Sequence, residues 1–179
     1  MTDIPKLYSD AQDKFGWPDF VSIQAAGLSA EILSSLVAAK AIGAEEISVQ
    51  GKRWQKRFRG QRVIILPVCG PATGEVVDLV AFNPKTPKAF WVHTGAGVML
   101  GEVSAARAEH FSEPLYLHET PMDWLKAAGE GSVILDWKHY WPLYMGSIKR
   151  VRVLDEAFGK RAADLMARPF PTPEIEVAL

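Results

Sequence analysis

Three short apolar runs in the last third of the chain each reach a carboxylate: Leu115-Tyr-Leu-His-Glu119, Ser132-Val-Ile-Leu-Asp136 and Val151-Arg-Val-Leu-Asp155. Each has the length of a strand, and helical patterns follow the first and third. Thr120 is placed to cap a helix that starts with Pro121 and runs to Gly129, and Ala157 to Ala167 forms the helix behind Asp155. Strands that alternate with helices over short connections specify a parallel sheet whose strand C-termini face one way. The expected class is therefore α/β in this region and α+β overall, the last third being a small βαβαβα unit. In open sheets of this kind, ligands bind in the crevice outside the C-terminal ends of the strands. Glu119, Asp136 and Asp155 are accordingly the candidate site.

Oxygen ligands suit hard divalent cations, and Mg²⁺ commonly binds through one or two carboxylates plus water and substrate phosphate. Such an ion stabilises charge that develops during phosphoryl transfer. Two other roles stand beside this one. An acid at a strand end often caps the next helix, which is open to Asp155, and Asp136 has Lys138 and His139 nearby as partners.

Upstream, residues 1–50 read as helical. Pro5 to Phe15 and Trp17 to Gly27 suit short helices, and Ser29 caps a third with the apolar stripe Ile32, Leu33, Leu36, Val37 and an end at Gly43. Helix, glycine turn, helix resembles a DNA-reading pair. The second helix, however, lacks basic side chains at its N-terminal end, so packed core helices fit better. After a strand from Glu46 to Gln50, the composition changes abruptly: Lys52, Arg53, Lys56, Arg57, Arg59 and Arg62 crowd into a dozen residues around Trp54 and Phe58. Cations neutralise phosphates and aromatic faces stack on bases, so this segment suits single-stranded DNA or RNA. The competing reading is an exposed hairpin whose charges keep a sheet edge soluble. Val63–Val68, Glu75–Phe82 and Ala89–Thr94 then read as an antiparallel meander. The loop Thr94-Gly-Ala-Gly97 is able to offer backbone N–H groups to a phosphate, although a tight turn explains it more simply.

A formal net charge of −1 over 179 residues argues against wholesale coating of nucleic acid, so any such contact must be local. The single Cys69 excludes a disulfide framework and a cysteine-based zinc site, and points to a reducing, cytoplasmic compartment. No apolar run approaches membrane-spanning length. His93, His110, His118 and His139 lack metal-ligand spacing, and no Gly-x-Ser-x-Gly nucleophile turn occurs.

From Val63 to Leu165 the chain resembles the topoisomerase–primase (Toprim) domain of phage and mobile-element primases. Leu115-Tyr-Leu-His-Glu119 is similar to the family's strand ending on glutamate. Leu154-Asp155-Glu-Ala157-Phe-Gly159-Lys-Arg-Ala162-Ala163 is similar to its Asp-x-Asp, glycine and alanine-rich helix. The resemblance implies Mg²⁺ at Glu119 and Asp155, while Asp136 stands outside it. Two departures matter: Ala157 occupies the place of the second aspartate, and Thr120-Pro121 replaces the glycine after the glutamate. A halved carboxylate pair implies a non-catalytic, nucleic-acid-binding or accessory protein of phage or mobile-element replication, with replication proteins as partners. A Mg²⁺-dependent enzyme acting on phosphodiesters is the first rival. An interaction module using Tyr140-Trp141-Pro-Leu-Tyr144 and the proline-rich tail is the second. The expected divisions are residues 1–50 helical, 51–103 β-rich with the basic segment, 104–168 Toprim-like and 169–179 tail.

Overall fold

A computed structural model describes residues 3–70, 72–138, 145 and 148–167. The aromatic run 140–144 and the tail 169–179 therefore lie outside the described residues. Three helices open the chain: α1 (Ile4–Asp13), α2 (Trp17–Ala25) and α3 (Ala30–Ala38). Asp3 and Ser29 cap α1 and α3 by accepting the N–H groups of Lys6 and Ile32. Helix α3 stops earlier than Gly43, at a left-handed Lys40 that lets the Ala41 N–H reach Leu36 O at 2.8 Å. Gly43 instead starts β1, where a Cβ would stand 2.8 Å from the backbone carbon of Ala11 on α1.

Five strands follow: β1 (Gly43–Gln50), β2 (Arg53–Lys56), β3 (Gln61–Cys69), β4 (Val76–Phe82) and β5 (Phe90–Val92). They close into a mixed barrel in the order β1-β2-β5-β4-β3 rather than remaining an open meander. A single parallel bridge, Arg53 to Val92, makes the closure. Inside lie Ile47, Trp54, Val63, Ile65, Leu79 and Ala81, with Tyr8 and Ala11 of α1 packed against them. Alternate residues of the same strands, including Ile64, Leu66, Val80 and Phe82, face a second core with Ile23 of α2 and Leu33 of α3.

The rest of the chain contributes β6 (Met99–Leu100), α4 (Glu102–His110), β7 (Leu115–His118), α5 (Pro121–Lys126), β8 (Ser132–Ile134), β9 (Val151–Arg152) and α6 (Glu156–Met166). The sheet order is β6-β8-β7-β9; β7 runs parallel to both β8 and β9, and β6 is antiparallel to β8. Leu100, Val133 and Leu135 face the barrel-side core together with Met122 and Leu125 of α5. Met99, Leu115, Leu117 and Ile134 face the other way, onto Ala105 and Ala108 of α4 and Phe158 and Ala162 of α6. The expected parallel strands are thus present, with β7 central. The chain leaves β7 toward one face and β9 toward the other. No helix among the described residues is long and apolar enough to cross a membrane.

Candidate functional site

Because α5 and α6 depart to opposite faces, the gap beyond the ends of β7 and β9 is a topological switch point. A cavity of about 520 Å³ opens there, with Leu117, Pro87 and Phe158 among its apolar walls and Glu119, Asp155 and Lys88 among its charged ones. Glu119 and Asp155 therefore share a site. Both carboxylates are engaged from within the protein. Glu119 Oε1 accepts from Arg161 at 2.5 Å and lies 3.0 Å from Lys88 Nζ. Asp155 caps α6, accepting the Phe158 N–H at 2.6 Å, and Thr120 caps α5 in the same way. Asp136 lies beyond β8, on the far side of β7 from β9, and accepts the Lys138 N–H at 2.9 Å. Among the described residues no group of three His, Cys, Asp or Glu side chains is arranged to hold a metal ion, so Glu119, Asp136 and Asp155 are not a three-acid centre. A cation entering at Glu119 must compete with two resident positive groups.

The basic segment divides by the faces of its strand. Trp54 is 1% exposed, donates from Nε1 to Leu79 O and packs 4.6 Å from the His93 ring, so it is a core residue and not a base-stacking one. Arg62 forks onto both oxygens of buried Asp19, at 3.0 and 2.7 Å, and donates to Lys14 O. The Asp19 carboxylate raises the Arg62 pKa further, so this cation is structural. Lys56 lies on the face opposite Arg62 and 3.7 Å from Glu45, whose carboxylate also takes Lys14 at 2.6 Å. Arg53 lays its guanidinium against Gly95, where a Cβ would overlap it. Lys52 is exposed at the β1–β2 turn.

What remains is the loop between β2 and β3. Ile47 is the Cα partner of both Lys56 and Gln61, so residues 57–60 stand out from the ladder. Phe58 at the tip is 84% exposed, between exposed Arg57 and Arg59, with the Arg59 guanidinium 5.3 Å from its ring centre. The loop is pinned: Arg57 N–H donates to Glu46 O, Arg59 N–H to Glu46 Oε2 at 2.6 Å, and Gly60 N–H to Arg57 O. Arg59 takes φ 57°, a left-handed conformation costing a non-glycine residue about 1 kcal/mol, which these bonds offset. Gly60 is required because a Cβ there would lie 2.4 Å from Ile47 O.

The glycine loop after β5 proves to be filled by the protein itself. The fully buried carboxylate of Asp78 accepts N–H groups from Thr94, Gly95 and Gly97 at 2.9, 2.6 and 3.2 Å, and from Leu79 at 2.8 Å. Cys69 is half-buried; burial and, secondarily, Glu102 push its thiol pKa up, away from nucleophile chemistry. His118 lines the cavity with its Nε2 2.9 Å from Glu130 O.

Sequence reasoning missed Lys88 and Arg161. Arg161 lies six positions beyond Asp155, within the helix expected there, and a cation on that helix was the available signal; nothing local links Lys88 to Glu119. Searches against protein-family models, curated proteins and solved structures find no match for this chain.

Proposed function

We propose that this chain is a non-catalytic, Toprim-like α/β protein that binds single-stranded nucleic acid as an accessory of phage or mobile-element replication. The observation that carries the binding half is the pinned loop that holds Phe58 in solvent between two exposed arginines. An aromatic face fixed beside cations is what stacking on an unpaired base requires. The non-catalytic half draws on the engagement of Glu119 by Lys88 and Arg161, and on Ala157, which brings no second acid.

The test is fluorescence anisotropy with a labelled oligothymidylate roughly 15 nucleotides long, within the span of one or a few such sites. Phe58→Ala is expected to weaken binding by about 1–3 kcal/mol, or roughly 5- to 150-fold. The combined variant Arg57→Ser, Phe58→Ala, Arg59→Gly should abolish it, the glycine being chosen for the left-handed position. Equal affinity in native and triple variant proteins, or no binding by the native chain, refutes the proposal.

A second reading is a Mg²⁺-dependent enzyme acting on phosphodiesters, favoured by one fact: Glu119 and Asp155 line the same cavity. Titration calorimetry with Mn²⁺ on the native chain and on Glu119→Gln decides it. Heat of binding that disappears in the variant supports the enzyme reading.

A further inference from the structure

Resting on the nucleic-acid reading, we infer that the contact surface extends beyond the Phe58 loop along the outer face of the β1–β2 hairpin, and that its partner is a single strand rather than a duplex. Directly opposed residues of an antiparallel pair share a face. Ser48 pairs with Gln55 and Gln50 with Arg53, while Trp54 and Ile47 point inward. The outer face of this hairpin therefore carries Ser48, Gln50, Arg53 and Gln55 and leads to Arg57 and Arg59. Hydroxyl, amides and guanidinium stand there without an acid between them. Glu46, the next outward residue of β1, already accepts the Arg59 N–H.

Along β2 the outward residues recur at roughly 6.7 Å, twice the strand rise, a step comparable to that of successive phosphates in an extended single strand. Arg53 and Gln55 thus stand one such step apart, and Arg57 follows directly after β2 at the start of the loop. The hairpin is also held in place from behind. Trp54 anchors β2 in the core, Arg53 is bridged to Val92, and the Val92 N–H bonds Lys52 O at 3.1 Å. A ribbon held at both ends in this way has no freedom to project into a major groove about 12 Å wide. Unpaired bases are able to reach Phe58; stacked duplex bases are not.

Three phosphate-contacting arginines, at about 0.7 per phosphate on a single strand, predict a slope of log K against log salt near −2 for the native protein. Arg53→Gln should move that slope by about 0.7 toward zero, whereas a contact confined to Arg57 and Arg59 would give about −1.4 in both proteins. Gln55→Glu, which keeps every cation and places an acid in the lane, should weaken oligothymidylate binding while the urea midpoint stays unchanged. A blunt duplex of matching length should bind far more weakly than the single strand. If the triple loop variant loses binding but Arg53→Gln and Gln55→Glu bind like the native chain, the extended surface is wrong and the loop contact stands. Equal affinity for duplex overturns the single-strand assignment. No binding by the native protein overturns both.

Discussion

Removing the Asp78 carboxylate should cost more stability than any other single polar substitution considered for this chain. Asp78 points away from water and accepts four backbone N–H groups, three of them from the loop 94–97 that follows β5. In Asp78→Ala the Leu79 and Gly97 N–H groups stay buried without an acceptor, each at a cost of about 1–3 kcal/mol. The Thr94 and Gly95 N–H groups are only partly buried and reach water, adding about 0.5–1 kcal/mol each as lost hydrogen bonds. Relief from burying a charge returns part of this, so the net loss is about 3 kcal/mol, a large share of the 5–15 kcal/mol that holds a domain folded. Asp78→Asn should lose nearly as much, because its NH₂ group would face N–H donors. With a urea slope of about 2 kcal/mol per molar, the midpoint falls by about 1.5 M. The transition is read by tryptophan fluorescence, since Trp54 bonds Leu79 O beside the same carboxylate. A loss below about 1 kcal/mol in both variants would show that water satisfies the loop and that Asp78 does not organise it.

Arg62→Ala strips buried Asp19 of its fork and should cost about 1–3 kcal/mol, discounted because the arginine is partly exposed; Arg62→Lys should recover less than half. Recovery of native stability by lysine, in the same urea assay, would refute the role of the fork. Burial pushes the Tyr8 hydroxyl up to about 12. This lies above the unfolded value of about 10, so the contribution of Tyr8 is complete below pH ~10 and lost as pH rises through the folded value. Tyr8→Phe gives up the bond to Lys40 O, worth about 1 kcal/mol at neutral pH, but should destabilise less as the solution becomes alkaline; a pH-independent difference counts against this account. Added Mg²⁺ should leave the unfolding midpoint unchanged, whereas a site with a Kd one-hundredth of the added concentration would contribute about 2.7 kcal/mol.

The parallel strands β7, β8 and β9 were legible because their signals are local: a short apolar run that reaches an acid and, after β7 and β9, a capping residue and then a helical period. The caps at Thr120 and Asp155 fall where the chain predicts them. Barrel closure was not legible, since it depends on one bridge between Arg53 and Val92, almost forty residues apart. Trp54 shows a different failure. Reading residues 52–62 as one basic and aromatic mixture pooled two faces of a strand, although period-two alternation already sets Trp54 opposite Arg53 and Gln55. Asp78 carried an equally plain signal: an acid inside Val76-Val-Asp-Leu-Val80 must find donors if that run is buried. The glycine loop supplying them stands sixteen to nineteen residues away.

The rim of the second sheet joins these threads. A divalent ion at a pair of strand-end carboxylates would bring two positive charges to them. Here Ala157 stands where the resemblance places a second aspartate beside Asp155, while Lys88 and Arg161 bring two positive charges to Glu119. Asp155 keeps its place but spends one oxygen on the Phe158 N–H, a role any helix cap fills. The charge balance that a metal site obtains from an ion is thus supplied by side chains, and the cavity beside it keeps its apolar walls. On the reading proposed above, the strand-end acids serve the architecture, and recognition is left to the barrel.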